Sequence, residues 1–505
     1  MKHGENKRRL GSLPLVSLFC LVFLGACMVL ACSNNPGKPQ RKQTVLDTEF
    51  DDARLGAEES QNMASAMGLV EDPDLNAYIN DIGKRMIPFA PKRAFNYTFE
   101  IVDQAAPNAF ALPGGHIYIS RGLLTLVNTE DELACVIGHE ITHAAERHAA
   151  ARQEFGRRLN PFSMGYMRAG QLAAYGRNQE RDADRGGQIL AAKAGWNPMG
   201  MATFMQDLNA MDRLTIGWSR LPSFFDSHPS SPERAATTFN RGENIQWVAR
   251  PHIAPTHLDF LEKMQGLTVG EDPKEGIFEK TRFLHLDMDF SLRFPDGWRL
   301  INDREVVGAI DPSYKAFIAL RVEGPGDDPQ AMARKVIETE LLQMRAKINS
   351  ETPIQIGEYP GYRLEVHVPS ARTSVSMTFI AYQDYIFRID TVAQSGQLNR
   401  YIGRGRATVR SFRPLTEKEK SQFELIELEI VEARIGESLA QLSARTNNKL
   451  DLGTTAVLND VFIDAQLKPG QPVKIGKGRP YVPTQEEDGE NREESPTNKK
   501  VDGQS

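Results

Sequence analysis

The sequence predicts a multidomain chain: a mainly α domain with a few strands (α+β), then an α/β sandwich, then a small α+β module. The 505 residues are enough for about three domains at about 150 residues each. Apolar residues recur mostly at helical spacing from about residue 48 to residue 250, whereas alternating, strand-like segments dominate from about residue 283. A charged segment then separates a last unit with a strand–helix–strand pattern.

The first 31 residues have the pattern of a secretory signal, with basic residues before an uncharged apolar run. The run ends in "VLAC", which resembles a bacterial lipobox and would place the lipid on Cys32. A competing "LGAC" ends at Cys27, but the apolar residues after it make a poor tether. We therefore predict lipidation of Cys32, a polar tether at residues 32–47, and membrane contact only through this anchor; plain secretion or an uncleaved signal is the alternative.

Charge and cysteine content argue against a nucleic-acid-binding protein and against a disulfide-stabilised fold. Lys and Arg number 60 and Asp and Glu 66, for a net charge of -6, and no basic patch with interleaved aromatic residues is present. We therefore expect no nucleic-acid partner. Only Cys32 and Cys135 would remain after cleavage of the signal, so packed cores rather than disulfides must stabilise this exported protein.

The first structured elements are a helix and a small sheet. The segment "DPDLNAYINDIGKRM" has apolar residues at helical spacing, and "FNYTFEIVD" alternates like a strand. The segment "NAFALPGGHIYIS" is typical of two strands joined by a Pro-Gly-Gly turn. Asn108 and Ala109 lie at the start of the first of these strands, where an edge could pair with an extended peptide backbone; an ordinary strand end is the alternative.

The most informative stretch is "LACVIGHEITHAAERH", residues 133–148. His139 and His143 are four residues apart, so on a helix both imidazoles lie on one face and can reach a single zinc ion. Glu140 lies beside that point and suits a general base for a zinc-activated water. Thr129 and Glu132 have the spacing of a capping box that starts the helix. The alternative is an ordinary amphipathic helix with chance histidines, but polar groups beside an apolar face need a partner, which a metal supplies.

A catalytic zinc needs a third protein ligand, and "NQERDADRGG" offers two acids. Glu180 and Asp184 share one face of a helix predicted from about residue 179 to residue 194, which Gly195 would end with a left-handed cap. One acid would bind the metal and the other would accept the outer N–H of a ligand histidine. Spacing alone leaves both assignments open, together with a solvated charged face.

The combination of "HEITH" and "ERDAD" resembles the gluzincin metallopeptidases of family forty-eight, which include HtpX, the CAAX prenyl endopeptidases and the periplasmic BepA and LoiP proteins. The resemblance covers about residues 48–250 and implies a zincin-type metallopeptidase domain. It also implies that Glu180 is the metal ligand and that Asp184 accepts the outer N–H of a ligand histidine.

The segment "SHPSSPER" resembles the H-P-x-x-x-x-R segment of the same family. His228 would then stabilise the oxyanion or fill the open metal position, and Arg234 would orient it or bind substrate carbonyls. A structural His-Pro turn is the alternative. His116 and His148 are expected in packing or at the surface.

The C-terminal half is predicted as a linker at residues 251–282, a sandwich at residues 283–415 with one helix, a module at residues 424–478, and a disordered tail at residues 479–505. The sandwich resembles the Mog1/PsbP-like fold. The module resembles a degenerate LysM domain, which implies a peptidoglycan partner; a docking or spacer module is the alternative.

These observations predict a zinc metalloendopeptidase with one zinc ion per chain. From the resemblance we expect unfolded or misassembled envelope proteins as substrates, outer-membrane assembly components as partners, and a location on the periplasmic side of the bacterial outer membrane. The alternative is an envelope chaperone or assembly factor in which proteolysis is latent or occasional.

Overall fold

The computed structural model describes residues 49–151, 165–214, 228, 232–303 and 306–483. The predicted signal segment, Cys32, the tether and residues 484–505 of the predicted tail lie outside this range. Within the described part of the chain, no helix is long and apolar enough to cross a membrane. The chain is multidomain, with a helical domain followed by a β-rich region, as the sequence predicts.

The N-terminal domain consists of helices around one small sheet. Its helices are α1 (Glu49–Met67), α2 (Pro73–Met86), α3 (Arg121–Leu126), α4 (Glu130–Ala145), α5 (Gly165–Ala194), α6 (Gly200–Leu214), α7 (Pro232–Asn244) and α8 (His257–Glu262). Its strands are β1 (Thr98–Val102), β2 (Ala109–Leu112) and β3 (His116–Ser120).

Helix α4 is the centre of this domain. Thr129 and Glu132 form the predicted capping box: the Thr129 hydroxyl accepts from the Glu132 N–H, and the Glu132 carboxylate accepts from the Thr129 N–H. The apolar face of this helix consists of Leu133, Val136, Ile137 and Ile141, which are completely buried. Their burial fixes the rotation of α4 and therefore the side of the helix on which the two histidines lie.

The small sheet has the order β1–β3–β2, with β1 parallel and β2 antiparallel to β3. The Pro-Gly-Gly turn between β2 and β3 forms as predicted, with Gly114 and Gly115 at φ of 80° and 86°. Within this sheet β2 is an edge strand, and it runs beside α4.

The segment predicted as a linker contributes Phe260, Leu261 and Met264 of α8 and its flank to the core of the helical domain. It continues into a three-stranded antiparallel sheet of β4 (Ile277–Glu279), β5 (Arg282–His285) and β6 (Phe290–Arg293). The segment is thus part of two folded units, and the boundaries proposed for the domains of the chain stay predictions.

The β-rich region is a seven-stranded antiparallel sheet with the order β10–β11–β12–β13–β9–β8–β7. The strands are β7 (Arg299–Asp303), β8 (Val306–Ile310), β9 (Ala316–Pro325), β10 (Lys347–Ile356), β11 (Tyr359–Val368), β12 (Thr373–Tyr382) and β13 (Tyr385–Gln394). The predicted helix forms as α9 (Pro329–Val336), and a second helix, α10 (Leu398–Arg410), was not predicted. Helix α9 continues into a π-helical turn, Ile337–Leu341.

The last unit pairs β14 (Glu424–Glu432) with β15 (Pro472–Pro480), and a short helix, α11 (Glu417–Lys420), precedes it. Between its strands lie the predicted helix, α12 (Leu439–Thr446), and a second helix that the sequence analysis missed, α13 (Leu452–Leu458). The unit packs on the helical domain, because Leu428 and Leu458 belong to that domain's buried core.

Candidate active site

Helices α4 and α5 approach each other closely through two glycines. A Cβ on Gly187 would lie 2.7 Å from the backbone nitrogen of His139, and a Cβ on Gly138 would lie 2.9 Å from the carbonyl oxygen of Gly187. Any larger residue would separate the helices. The contact brings Glu180 and Asp184 on α5 next to the histidines on α4.

Four side chains form a cluster of potential metal ligands: His139, His143, Glu180 and His228. Their ligand atoms all lie within 4.8 Å of one another. Nε2 of His139 lies 3.0 Å from Nε2 of His143 and 3.3 Å from Nδ1 of His228. Nδ1 of His228 lies 2.9 Å from the Glu180 carboxylate. The spacing predicted for His139 and His143 thus brings both Nε2 atoms to one point.

Asp184 and Arg234 support this cluster from behind. Oδ1 of Asp184 lies 3.1 Å from Nδ1 of His139, on the outer side of the ring. Arg234 donates to both Asp184 oxygens, at 2.8 and 2.7 Å. It also donates to the His228 carbonyl at 3.2 Å and lies 3.3 Å from the Glu180 carboxylate. One buried guanidinium therefore connects both acids with the segment that carries His228.

Glu140 lies beside the cluster and is completely buried. Its Oε1 is 3.5 Å from Nε2 of His228. A cavity of about 180 Å³ opens next to Glu140, between α4 and the residues of β2 and its turn. The carboxylate is thus placed to exchange a proton with a molecule in this cavity.

The electrostatics favour a cation at the cluster. Burial alone would lower the pKa of His139, but hydrogen bonds with Asp184 and Glu180 raise it to about 9. Burial raises the pKa of Glu140. Burial also opposes ionisation of Glu180, yet the surrounding histidines hold the pKa of that carboxyl well below its usual range. The pKa of His143 is lowered by burial and by the neighbouring His139.

The residues present fit a divalent metal ion. Metal binding requires neutral histidines. The ionised carboxylates of Glu180 and Asp184 and the Arg234 guanidinium then sum to a charge of −1 in a buried site. Such a charge is costly unless a cation compensates it. Imidazole nitrogen and carboxylate oxygen are donors that suit a four-coordinate transition metal.

The structure brings the predicted residues of the cluster together, but the two predicted substrate residues lie elsewhere. Asn108 and Ala109 are buried, and the Asn108 N–H donates to Ser120 Oγ at 2.7 Å. The cavity is lined further along β2, by Phe110, Ala111 and Leu112. A substrate role for Asn108 and Ala109 stays a prediction, as do the roles assigned to the cluster residues.

Sequence reasoning left out one contact within the site. Nδ1 of His148 lies 2.9 Å from Nδ1 of His143, so the residue expected in packing touches a candidate ligand. Burial lowers the pKa of His148 to about 4. The "HEITHAAERH" pattern contains this third histidine, but its spacing from His143 does not predict contact on a straight helix. His116, by contrast, bonds Thr98 Oγ1 through Nδ1, at 3.0 Å.

Two histidines on one helix and a glutamate on the next, gathered around one point beside Glu140, define the class of this domain: a metallopeptidase. The family follows from comparison with known proteins. Residues 73–240 match the family model described as Peptidase family M48, and the chain carries a domain of that family.

Several curated relatives share this domain. The chain is 28% identical over 225 residues to a beta-barrel assembly-enhancing protease from Yersinia pestis, covering 40% of this chain and 45% of that one. The protein of the same name from Escherichia coli is 29% identical over 216 residues, or 38% and 43% of the two chains. A mitochondrial metalloendopeptidase OMA1 from Schizosaccharomyces pombe is 27% identical over 171 residues, or 31% and 50%. The chain spans about half the length of these relatives.

Among solved structures, cyanobacterial PsbP from Synechocystis matches 26% of this chain and 91% of its own, at 11% identity and a TM-score of 0.23.

Proposed function

We propose that this protein is a zinc-dependent metalloendopeptidase of the bacterial cell envelope that cleaves unfolded or misassembled envelope proteins. The observation that carries the proposal is the convergence of His139, His143 and Glu180 on one point, with the buried Glu140 beside it. Two imidazoles and one carboxylate are a frequent ligand set of catalytic zinc, which keeps a further position open.

Zinc held by these three residues would polarise the scissile carbonyl and lower the pKa of the attacking water. Glu140 takes a proton from that water and later delivers it to the leaving amine. Its burial raises its pKa, which suits a group that must both accept and donate a proton. Asp184 fixes the His139 ring by accepting the Nδ1–H, and Arg234 holds Asp184 in that position.

The substrate and location rest on the relatives. Two of them are named beta-barrel assembly-enhancing proteases, which supports protein substrates linked to outer-membrane assembly. We propose the periplasmic side of the outer membrane as the location, with Cys32 as the lipid anchor. An extended substrate would lie along β2, whose residues line the cavity beside Glu140.

One observation favours a second function, that of an envelope chaperone with latent proteolysis. Nδ1 of His228 lies among the ligand atoms, 3.3 Å from Nε2 of His139, where it would take the position that substrate and water need. A protein resting in this state would bind clients without cleaving them. Rescue of an envelope defect by Glu140→Gln in a deletion strain would support this function.

Two measurements on each variant test the proposal: cleavage of an unfolded model protein and the content of bound zinc. The purified chain should contain one zinc ion and cleave, Glu140→Gln should contain zinc without cleaving, and His143→Ala should lose the zinc. Asp182→Asn is the matched control: Asp182 lies between Glu180 and Asp184 in the sequence but is exposed, so this variant should contain zinc and cleave. Equal proteolysis by the parent chain and Glu140→Gln would refute the proposed mechanism.

We also propose that the last module binds peptidoglycan. Because its strands and helices pack on the peptidase core, the full chain is the appropriate sample. It should co-sediment with purified peptidoglycan, and failure to do so would leave the module a docking or spacer element.

A further inference from the structure

Helix α4 ends at Ala145, and Arg147 makes a left-handed turn directly after it. Its φ is 51°, in the left-handed region that costs a residue with a Cβ about 1 kcal/mol or more. Such a conformation persists where surrounding contacts hold it. Arg147 donates through Nε and Nη2 to the carboxylate of Asp52 on α1, and Nη2 lies 3.0 Å from Asp52 Oδ1. Asp52 is only 2% exposed.

This left-handed turn creates a contact that a continuous helix would not allow. Residues five apart on an α-helix point about 140° away from each other. After the turn at Arg147, Nδ1 of His148 lies 2.9 Å from Nδ1 of His143. The position of His148 is fixed further by Gln179 on α5, whose Nε2 donates to the His148 carbonyl at 2.9 Å.

The contact lies on the side of His143 that faces away from the ligand cluster. Nε2 of His143 lies 3.0 Å from Nε2 of His139 and 3.6 Å from Oε1 of Glu180, so Nε2 is the atom available to a metal. A neutral imidazole that ligates through Nε2 carries its proton on Nδ1 and must donate it. Nδ1 of His148 can accept that proton only in the tautomer with its own hydrogen on Nε2.

We propose that His148 is a positioning residue for the metal ligand His143, and that the Asp52–Arg147 pair holds it in place. The proposal rests on the proposed metal site. The two histidine ligands then have different outer partners: a carboxylate, Asp184, behind His139 and an imidazole behind His143. An imidazole orients His143 without adding a fourth carboxylate to a buried site that already contains three.

The arrangement also connects α1 with the metal site. Asp52, Arg147 and His148 line the same cavity as Glu140. Movement of α1 away from Arg147 would release the strained turn and, with it, the outer partner of His143.

Zinc affinity of the full chain tests the proposal, measured by competition with a chromogenic chelator in the Glu140→Gln background so that self-cleavage does not interfere. His148→Leu removes the acceptor at similar volume and should weaken zinc binding about 10- to 100-fold, the usual effect of losing an outer partner. His148→Asn places Oδ1 where Nδ1 was and should restore most of the affinity. The visible spectrum of the cobalt-loaded protein should change in His148→Leu and return in His148→Asn.

Unchanged zinc affinity in His148→Leu would overturn the proposal, whereas absence of zinc from the parent chain would instead overturn the proposed function. If His148→Leu does not fold, the protonation states of the histidines in the parent chain test the proposal instead. With ¹⁵N-labelled histidine and bound zinc, the spectrum should show His143 protonated at Nδ1 and His148 at Nε2. A proton on Nδ1 of His148 would refute the assignment.

Discussion

Replacing Lys474 with methionine should weaken the contact between the last module and the peptidase domain. Lys474 lies in β15, is completely buried, and donates through Nζ to the carbonyl oxygens of Thr125, Leu126 and Val127, each at 3.0 Å. These carbonyls lie at the C-terminal end of α3, where a helix leaves its acceptors unpaired and favours a cation. One side chain from the far end of the sequence thus caps a helix next to α4.

The magnitude follows from the three acceptors. Methionine keeps an unbranched apolar stem in the same volume but has no donor. At about 1 kcal/mol for each buried acceptor that loses its donor, the free energy of unfolding should fall by about 3 kcal/mol.

Thermal unfolding of the full chain, followed by calorimetry, measures the effect. A domain of this size shifts by about 2–4 °C per kcal/mol, so the transition of the peptidase domain should fall by about 6–12 °C. Lys477→Met, three residues further along β15, is the matched control: its side chain is 49% exposed and its Nζ is 3.8 Å from Glu429. Loss of this surface pair should cost at most about 1 kcal/mol. Equal shifts in the two variants would refute the reasoning.

The pH dependence gives a second readout of the same residue. Burial lowers the pKa of Lys474 to about 7, against the opposing effect of Glu132 and Asp207. Between pH 7 and the ordinary lysine pKa of 10.5, the unfolded chain therefore binds the proton more tightly than the folded chain. The contribution of Lys474 to stability should rise with pH through this window, and Lys474→Met should lack that rise.

Three further predictions concern the peptidase domain. Arg234→Met should lower the free energy of unfolding in metal-free buffer by about 3–5 kcal/mol, because it leaves the buried Asp184 carboxylate without its cation; denaturant unfolding measures this, and a loss below about 1 kcal/mol would contradict it. His228→Ala should raise the rate of cleavage of an unfolded protein, because Nδ1 of His228 lies among the ligand atoms, and a lower rate would assign His228 to oxyanion stabilisation instead. Asp207 has its pKa raised to about 7, mainly by burial and then by Glu132, so its contribution to stability is present near pH 4 and lost as the pH rises through 7. Asp207→Asn should therefore reduce the fall in unfolding midpoint between pH 5 and pH 7.5, and an unchanged fall would exclude this origin.

Helices α10 and α13 are among those that the sequence did not predict, because tertiary packing overrides their local sequence. Helix α10 contains Gly403 and Gly405, which weaken a helix, yet a Cβ on Gly405 would lie 1.9 Å from Thr391 Oγ1 on β13. The glycine is required by the close contact of helix and sheet, which only the folded sheet creates. Helix α13 contains two adjacent threonines and a valine, residues typical of strands, and its start depends on the Asp451 cap.

The sequence by itself determined the elements whose cause is local. The capping box of Thr129 and Glu132, the face of α4 and the convergence of His139 and His143 depend on neighbours within four residues, so the helix period is enough to predict them. Only the tertiary structure decided which distant groups meet that face. Glu180 reaches it because Gly138 and Gly187 let two helices touch, and no period of the sequence encodes that distance.

The same holds for His148 and Lys474. One reaches His143 through a left-handed turn held by a helix some 95 residues earlier in the chain, and the other crosses 349 residues to cap α3. Such contacts form because buried polar groups must find partners wherever the packed chain places them. Which residues make these contacts therefore depends on the three-dimensional arrangement. The metal-binding pattern itself was already present in the helix of residues 130–145.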